Sequence, residues 1–124
     1  MNILPLVNKI KEYDNKVTHK RVQCIMYLLN LKLMAGNDRL RIDYYKRGYP
    51  FSPQVKEAYY STSISMPPTY YVEMVLMSML TRAQEMSDDE LCELACSSPS
   101  FYSARNEISK ASIKKESFLK KHLL

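Results

Sequence analysis

The sequence predicts a mainly α-helical, compact domain of five to seven helices with one short strand or hairpin near residues 39–47. Three observations carry this. Only two glycines occur in 124 residues, which leaves little room for tight hairpins or phosphate-cradling loops. Apolar residues recur at three- and four-residue steps over most of the chain. Three polar caps, Ser52, Ser87 and Ser98, stand where helices would begin, each followed by a proline or by a glutamate three residues later.

Leu4, Val7 and Ile10 are spaced for a short amphipathic helix that Asp14-Asn15-Lys16 ends. Thr18 can cap a second helix running to about Ala35, with Val22, Ile25, Met26, Leu29 and Leu33 on one face and Leu28 and Leu31 widening it. A helix that apolar is expected at the centre of the domain, with Gly36-Asn37 supplying a left-handed stop. From Arg39 to Arg47 the period changes to two, Leu40, Ile42 and Tyr44 alternating with Arg41, Asp43 and Tyr45, as in a half-buried strand. Gly48-Tyr49-Pro50 breaks it, and Ser52-Pro53 opens a helix to about Tyr60. Residues 61–68 form a polar loop punctuated by Pro67-Pro68. A longer helix then spans about Tyr70 to Glu85, with Val72, Val75, Leu76, Met79 and Leu80 on one side. Ser87-Asp88-Asp89-Glu90 is a capping box, and its helix is expected to bury Leu91, Leu94 and Ala95 and stop near Ser97. Ser98-Pro99 starts a short helix to about Glu107, and residues 111–123 read as a basic terminal helix.

Length and composition fit a single domain over residues 1–124 with one core. The opening residues lack a basic, apolar leader pattern and run into Lys9, Lys11 and Glu12, so no signal peptide is expected. The longest apolar region, Cys24 to Ala35, is interrupted by Asn30 and Lys32 and is too short for a membrane span. A cytoplasmic location follows as the expectation. Three cysteines exclude a full disulfide framework, and Cys24, Cys92 and Cys96 are expected to be buried, inert thiols, with a Cys92–Cys96 redox pair or zinc corner as the alternative. The net charge of +5 is uneven. Residues 1–47 carry ten bases and four acids, residues 105–124 six bases and two acids, and residues 85–93 five acids and no base. Such asymmetry permits contact with nucleic acid or acidic protein without demanding it.

No catalytic constellation is present: there is no glycine-rich phosphate loop, no histidine pair at ligand spacing and no nucleophile-elbow motif. No enzyme activity, cofactor or metal is expected. Asp88, Asp89 and Glu90 are explained by capping and the helix dipole. Ten tyrosines without a tryptophan are unusual, and many are doubled, as Tyr44-Tyr45, Tyr59-Tyr60 and Tyr70-Tyr71. Tyrosine is enriched at protein interfaces because a flat amphipathic ring gives contact area at low entropic cost. The bland expectation is that each pair sends one ring inward and leaves one at the rim. Among Arg39, Arg41, Lys46 and Arg47 the same rings could stack on bases or contact phosphates. The segment Tyr44, Tyr45, Arg47, Tyr49, Phe51 and Gln54 is the candidate partner-binding site, because bulky amphipathic groups cluster there beside a turn.

The order of these features resembles the Panacea domain, the family of SocA-like antitoxins and phage-associated GepA-like proteins. Lys20 to Leu29 is similar to the family's opening helix, and Tyr44 to Val55 to its strand, Gly-Pro turn and helix. Ser87 to Leu91 with Ser98 to Arg105 resembles its capped helix and following proline-aromatic segment, and Ile113 to Phe118 its closing helix. The resemblance spans about residues 18–120. It departs where Tyr49 splits the Gly-Pro turn, where Cys96 or a serine replaces a histidine, and where Phe101 or Tyr102 replaces tryptophan. The resemblance implies a non-enzymatic protein-binding module, antitoxin-like or a mobile-element adaptor, that neutralises or recruits a partner protein, such as a toxin. The strand-to-helix segment is also similar to YwgA-like proteins, which look related to winged helices. A DNA-binding regulator is therefore the alternative, with the helix from Pro53 to Tyr60 entering a groove.

Overall fold

A computed structural model of the chain describes residues 3–36, 40, 42–46 and 48–97. Among these residues there are five helices and one two-stranded hairpin, arranged around a single apolar core. The helix expected from Ser98 and the basic terminal helix lie outside the described residues.

Helix α1 (Leu4–Tyr13) carries proline in its first turn, where a missing N–H costs nothing, and buries Leu6, Val7 and Ile10. Asp14 ends it in an extended conformation, its carboxylate accepting the Lys16 N–H at 3.0 Å. Thr18 caps helix α2 (His19–Ala35) by accepting the Arg21 N–H at 3.1 Å. Helix α2 is buried on most of its circumference, from Val22 through Leu33, and every other helix packs on it. It is the central rod that its apolar sequence predicts. Its end differs from expectation: Gly36 has φ −101° and ψ 20°, and its N–H reaches back to the Leu33 carbonyl. At Gly36 the helix therefore tightens into a three-residue turn, and Gly36 itself is not left-handed; Asn37 lies outside the described residues.

The predicted strand is much shorter than its alternation suggests. Strand β1 (Tyr45–Lys46) pairs antiparallel with β2 (Pro50–Phe51), Tyr45 opposite Phe51. The period of two persists in the packing, since Leu40 is buried, Ile42 and Tyr44 pack on the core and Asp43 is exposed. Pairing stops after two residues because Gly48 (φ 81°) reverses the chain and the next helix starts at Pro53.

Helix α3 (Pro53–Tyr60) is capped by the Ser52 hydroxyl, which accepts the Val55 N–H. Helix α4 (Tyr70–Ala83) ends two residues before the expected Glu85 and buries Val72, Leu76, Leu80 and Ala83. Helix α5 (Asp88–Ser97) opens with the expected capping box: the Ser87 N–H donates to Glu90 Oε1 at 2.8 Å and the Glu90 N–H to Ser87 Oγ at 3.1 Å. It turns Leu91, Cys92 and Ala95 inward, whereas Leu94, expected inside, stays about half exposed. Cys92 takes the inward position because it meets Cys24.

The cysteines correct the sequence reading. Cys24 on α2 and Cys92 on α5 form a disulfide, their Cα atoms 5.5 Å apart. Cys96, one turn beyond Cys92, takes no part in it and donates to the Gly48 carbonyl at 3.5 Å. The expected alternative partner of Cys92, four residues on, thus loses to a residue brought in by helix packing.

Candidate protein-contact surface

The segment expected to bind a partner is largely committed inside the protein. Phe51 is buried in the hairpin. The Tyr44 ring meets Tyr27 edge to face at 4.9 Å, and burial, with Tyr27 adding to it, pushes its hydroxyl well above the usual tyrosine pKa. The Tyr44 hydroxyl is a buried group with no hydrogen-bond partner among the described residues. Gln54 is spent on the hairpin: its Oε1 accepts from the Asp43 N–H at 3.1 Å and from Ser52 Oγ at 2.9 Å, and its Nε2 donates to Asp43 Oδ2 at 2.9 Å. Tyr49 is half-buried beneath the Lys20 ammonium, 5.8 Å from its ring centre. Tyr45 is half-buried as well, and Arg47 lies outside the described residues.

Behind the hairpin, Gln23 holds the start of α3. It is fully buried; its Oε1 accepts the Ser52 N–H at 2.8 Å and its Nε2 donates to the Ser52 carbonyl at 2.9 Å. The second Nε2 hydrogen points at His19 Nε2, 2.9 Å away, so that nitrogen is the acceptor and the imidazole proton sits on Nδ1. His19 stacks on Tyr59 at 5.2 Å and meets Tyr60 and Phe51 edge-on. Burial, reinforced by the Lys56 charge, holds its pKa below the ordinary histidine value.

The groups that face solvent without such commitments are elsewhere. Ile64 is 96% exposed, Met66 80% and Tyr70 78%, and Tyr71 and Met74 are each more than half exposed. The pairing expectation holds for Tyr59, which is half-buried, and Tyr60, which is exposed, but fails for Tyr70 and Tyr71, which both face outward. The loop that presents Ile64 and Met66 is tied down by α1. Asn8 Nδ2 donates to the Ser63 carbonyl at 3.2 Å and Ser65 Oγ at 3.0 Å, and Lys11 Nζ donates to the carbonyls of Tyr59 and Ser61 at 2.9 and 3.0 Å. Between α1 and this loop lies an open cleft of about 390 Å³, lined among others by Pro5, Glu12, Met66 and Pro68. Tyr71 reaches the end of α2, its hydroxyl oxygen 3.5 Å from where a Gly36 Cβ would stand, and half-exposed Met34 lies two residues before that glycine.

The helical period already sets Tyr70, Tyr71 and Met74 off the inward face of Val72, Leu76 and Leu80, but it does not say how exposed they are. The cue in the sequence is charge: residues 58–81 contain a single charged side chain, Glu73. It is paired with Lys9 at 3.2 Å, and that contact, more than the neighbouring Glu12, raises the Lys9 pKa above its ordinary value.

Among the described cations of the basic N-terminal stretch, Lys9, Lys11, Lys20 and Arg21 have internal partners. Lys20 pairs with Asp89 at 3.3 Å, and Arg21 Nη1 with Asp88 at 3.0 Å. Asp88 also accepts from Thr18 Oγ1 at 2.6 Å. Burial raises the Asp88 pKa, but the Thr18 and Arg21 hydrogen bonds and the charges of Arg21 and Lys20 outweigh it and bring the group below the usual value. On α3, the helix considered for a DNA groove, Lys56 and Glu57 are exposed side by side and Gln54 is occupied. Among the described residues no three His, Cys, Asp or Glu side chains converge as a metal site, and no helix is long and apolar enough to cross a membrane. Comparison of the chain with protein-family models, with curated proteins and with solved structures finds no match.

Proposed function

We propose that the chain is a non-enzymatic protein-binding module, antitoxin-like or a mobile-element adaptor as the resemblance to Panacea-domain proteins implies, which neutralises or recruits a partner protein in the cytoplasm. The observation that carries this reading is the exposure of Ile64 and Met66, on a loop fastened by Asn8 and Lys11, and of Tyr70, Tyr71 and Met74 on the first turns of α4. Large exposed apolar patches are uncommon on monomeric proteins and mark contact surfaces. Fastening the loop beforehand lowers the ordering cost that a flexible surface pays on binding.

Co-expression with the product of a neighbouring gene, followed by co-purification, tests the reading. A complex should form with the wild type and be lost in Tyr70→Glu/Met74→Glu; a complex unaffected by that variant would place the site elsewhere. Duplex DNA titrated across a salt series tests the winged-helix-like alternative. DNA binding through several phosphates weakens steeply as salt rises, so an absence of binding even at low salt would reject that alternative.

A further inference from the structure

We propose that the corner where α1, α2 and α4 meet binds a small zwitterion with an apolar arm, of the class of free aliphatic and aromatic α-amino acids. A cavity of about 230 Å³ opens there. The buried part of its lining is apolar: Ile10, Val17, Ile25, Leu80 and Ala83. The rest carries the polar chemistry, on exposed Tyr13, Asp14 and Gln84 and on Arg21, whose side chain is 14% exposed. The volume falls below the roughly 300–1,000 Å³ of sites for drug-sized ligands and suits a small metabolite. None of these residues lines the cleft beside the 61–68 loop, so the site goes beyond the proposed contact surface.

Arg21 supplies the anion site. Its Nη1 donates to the Met86 carbonyl and to Asp88, and its Nη2 to the Ala83 carbonyl. A guanidinium carries five N–H donors, so the Nε–H and one Nη2 hydrogen are left without a protein partner among the described residues. Nε and Nη2 form one edge of the planar fork, and such an edge grips a carboxylate through two parallel bonds. The three bonds already made hold the guanidinium still before a ligand arrives, which lowers the ordering cost of binding.

Asp14 supplies the cation site. Among the described residues its carboxylate accepts only the Lys16 N–H, at 3.0 Å, and pairs with no cation. The neighbouring charges cancel, since Asp89 and Asp88 match Lys20 and Arg21. A plain acid on Arg21 would bring a second negative charge beside Asp14, and a plain amine would leave the Arg21 edge unused. A zwitterion answers both. A roughly round cavity of this volume is less than two helical turns across, which brings both charges within the span of one amino acid. The arm then lies on the apolar floor.

A methyl-labelled nuclear magnetic resonance titration of the full protein with L-leucine and L-phenylalanine tests the proposal. At least one should bind saturably and shift the methyl signals of Ile10, Ile25 and Leu80. Against leucine, isocaproate lacks the ammonium, isoamylamine the carboxylate and glycine the arm, and each should bind about tenfold more weakly or worse. Asp14→Asn keeps an acceptor for the Lys16 N–H and removes the charge. It should weaken the amino acid by about tenfold while leaving isocaproate binding no weaker, a split that a folding defect would not give. Arg21→Lys keeps the charge and loses the fork, and should weaken amino acid and isocaproate together. Because Arg21 also holds the α4–α5 corner, Asp14→Asn decides if Arg21→Lys does not fold. No saturable binding of either amino acid, shifts confined to methyls outside the cavity, isocaproate or isoamylamine binding as tightly as leucine, or full affinity in Asp14→Asn overturns the proposal.

Discussion

Gln23 spends its side-chain amide on the backbone of Ser52, 29 positions away, and on the ring of His19. Helical periodicity places Gln23 on α2 but cannot say that a polar residue will be fully buried there, because its partners come from the hairpin. Replacing it by leucine keeps the volume and strands the Ser52 N–H and carbonyl in the core, so Gln23→Leu should cost about 3 kcal/mol in urea unfolding. The same network sets a pH dependence. A histidine whose folded pKa lies below its unfolded value takes up its proton first in the unfolded chain. His19 therefore contributes stability that is fully present above its ordinary pKa and is lost as pH falls through its folded pKa. The melting temperature should drop between about pH 7 and about pH 5, and His19→Gln should flatten that drop; an equal drop in the variant would assign it to other groups.

At the scale of elements, starts were more legible than ends. Thr18, Ser52 and the Ser87/Glu90 box act through hydrogen bonds within three residues, so their sequences suffice. Ends depend on what lies beyond them: α2 reaches Gly36 in a three-residue turn, and the short strand expected near residues 39–47 is present as β1 but runs only two residues because it lacks a longer partner. In the hairpin Gly48 is required for its positive φ alone, since a Cβ there would meet nothing within 4 Å. Gly48→Ala should destabilise the protein by about 1 kcal/mol, without disturbing α3, whose cap is held by Gln23. A neutral result in thermal unfolding would show that the turn relaxes to another conformation.

For the whole molecule, helical class and central α2 were readable because a long apolar helix has only one economical place. The cross-links between distant segments were not. Cys24 and Cys92 are 68 residues apart, and no spacing rule pairs them. Closing a loop of that length restricts the unfolded chain, so Cys24→Ser/Cys92→Ser should lower stability by about 3 kcal/mol. Thiol labelling under denaturing, non-reducing conditions should find only Cys96 reactive in the wild type. How far Tyr70 and Tyr71 are exposed belongs to this scale too, since the packing of α1 and α2 on α4 sets it.

The guanidinium of Arg21, near the start of α2, donates to the carbonyls of Ala83 at 2.6 Å and Met86 at 2.8 Å and to the Asp88 carboxylate at 3.0 Å. One side chain thus terminates α4, orders the turn after it and anchors the first turn of α5. The corner between those helices cannot fray as an ordinary helix end would, because loosening it would strand a charge whose side chain is only 14% exposed. In hydrogen exchange its amides should therefore open together with those of α2.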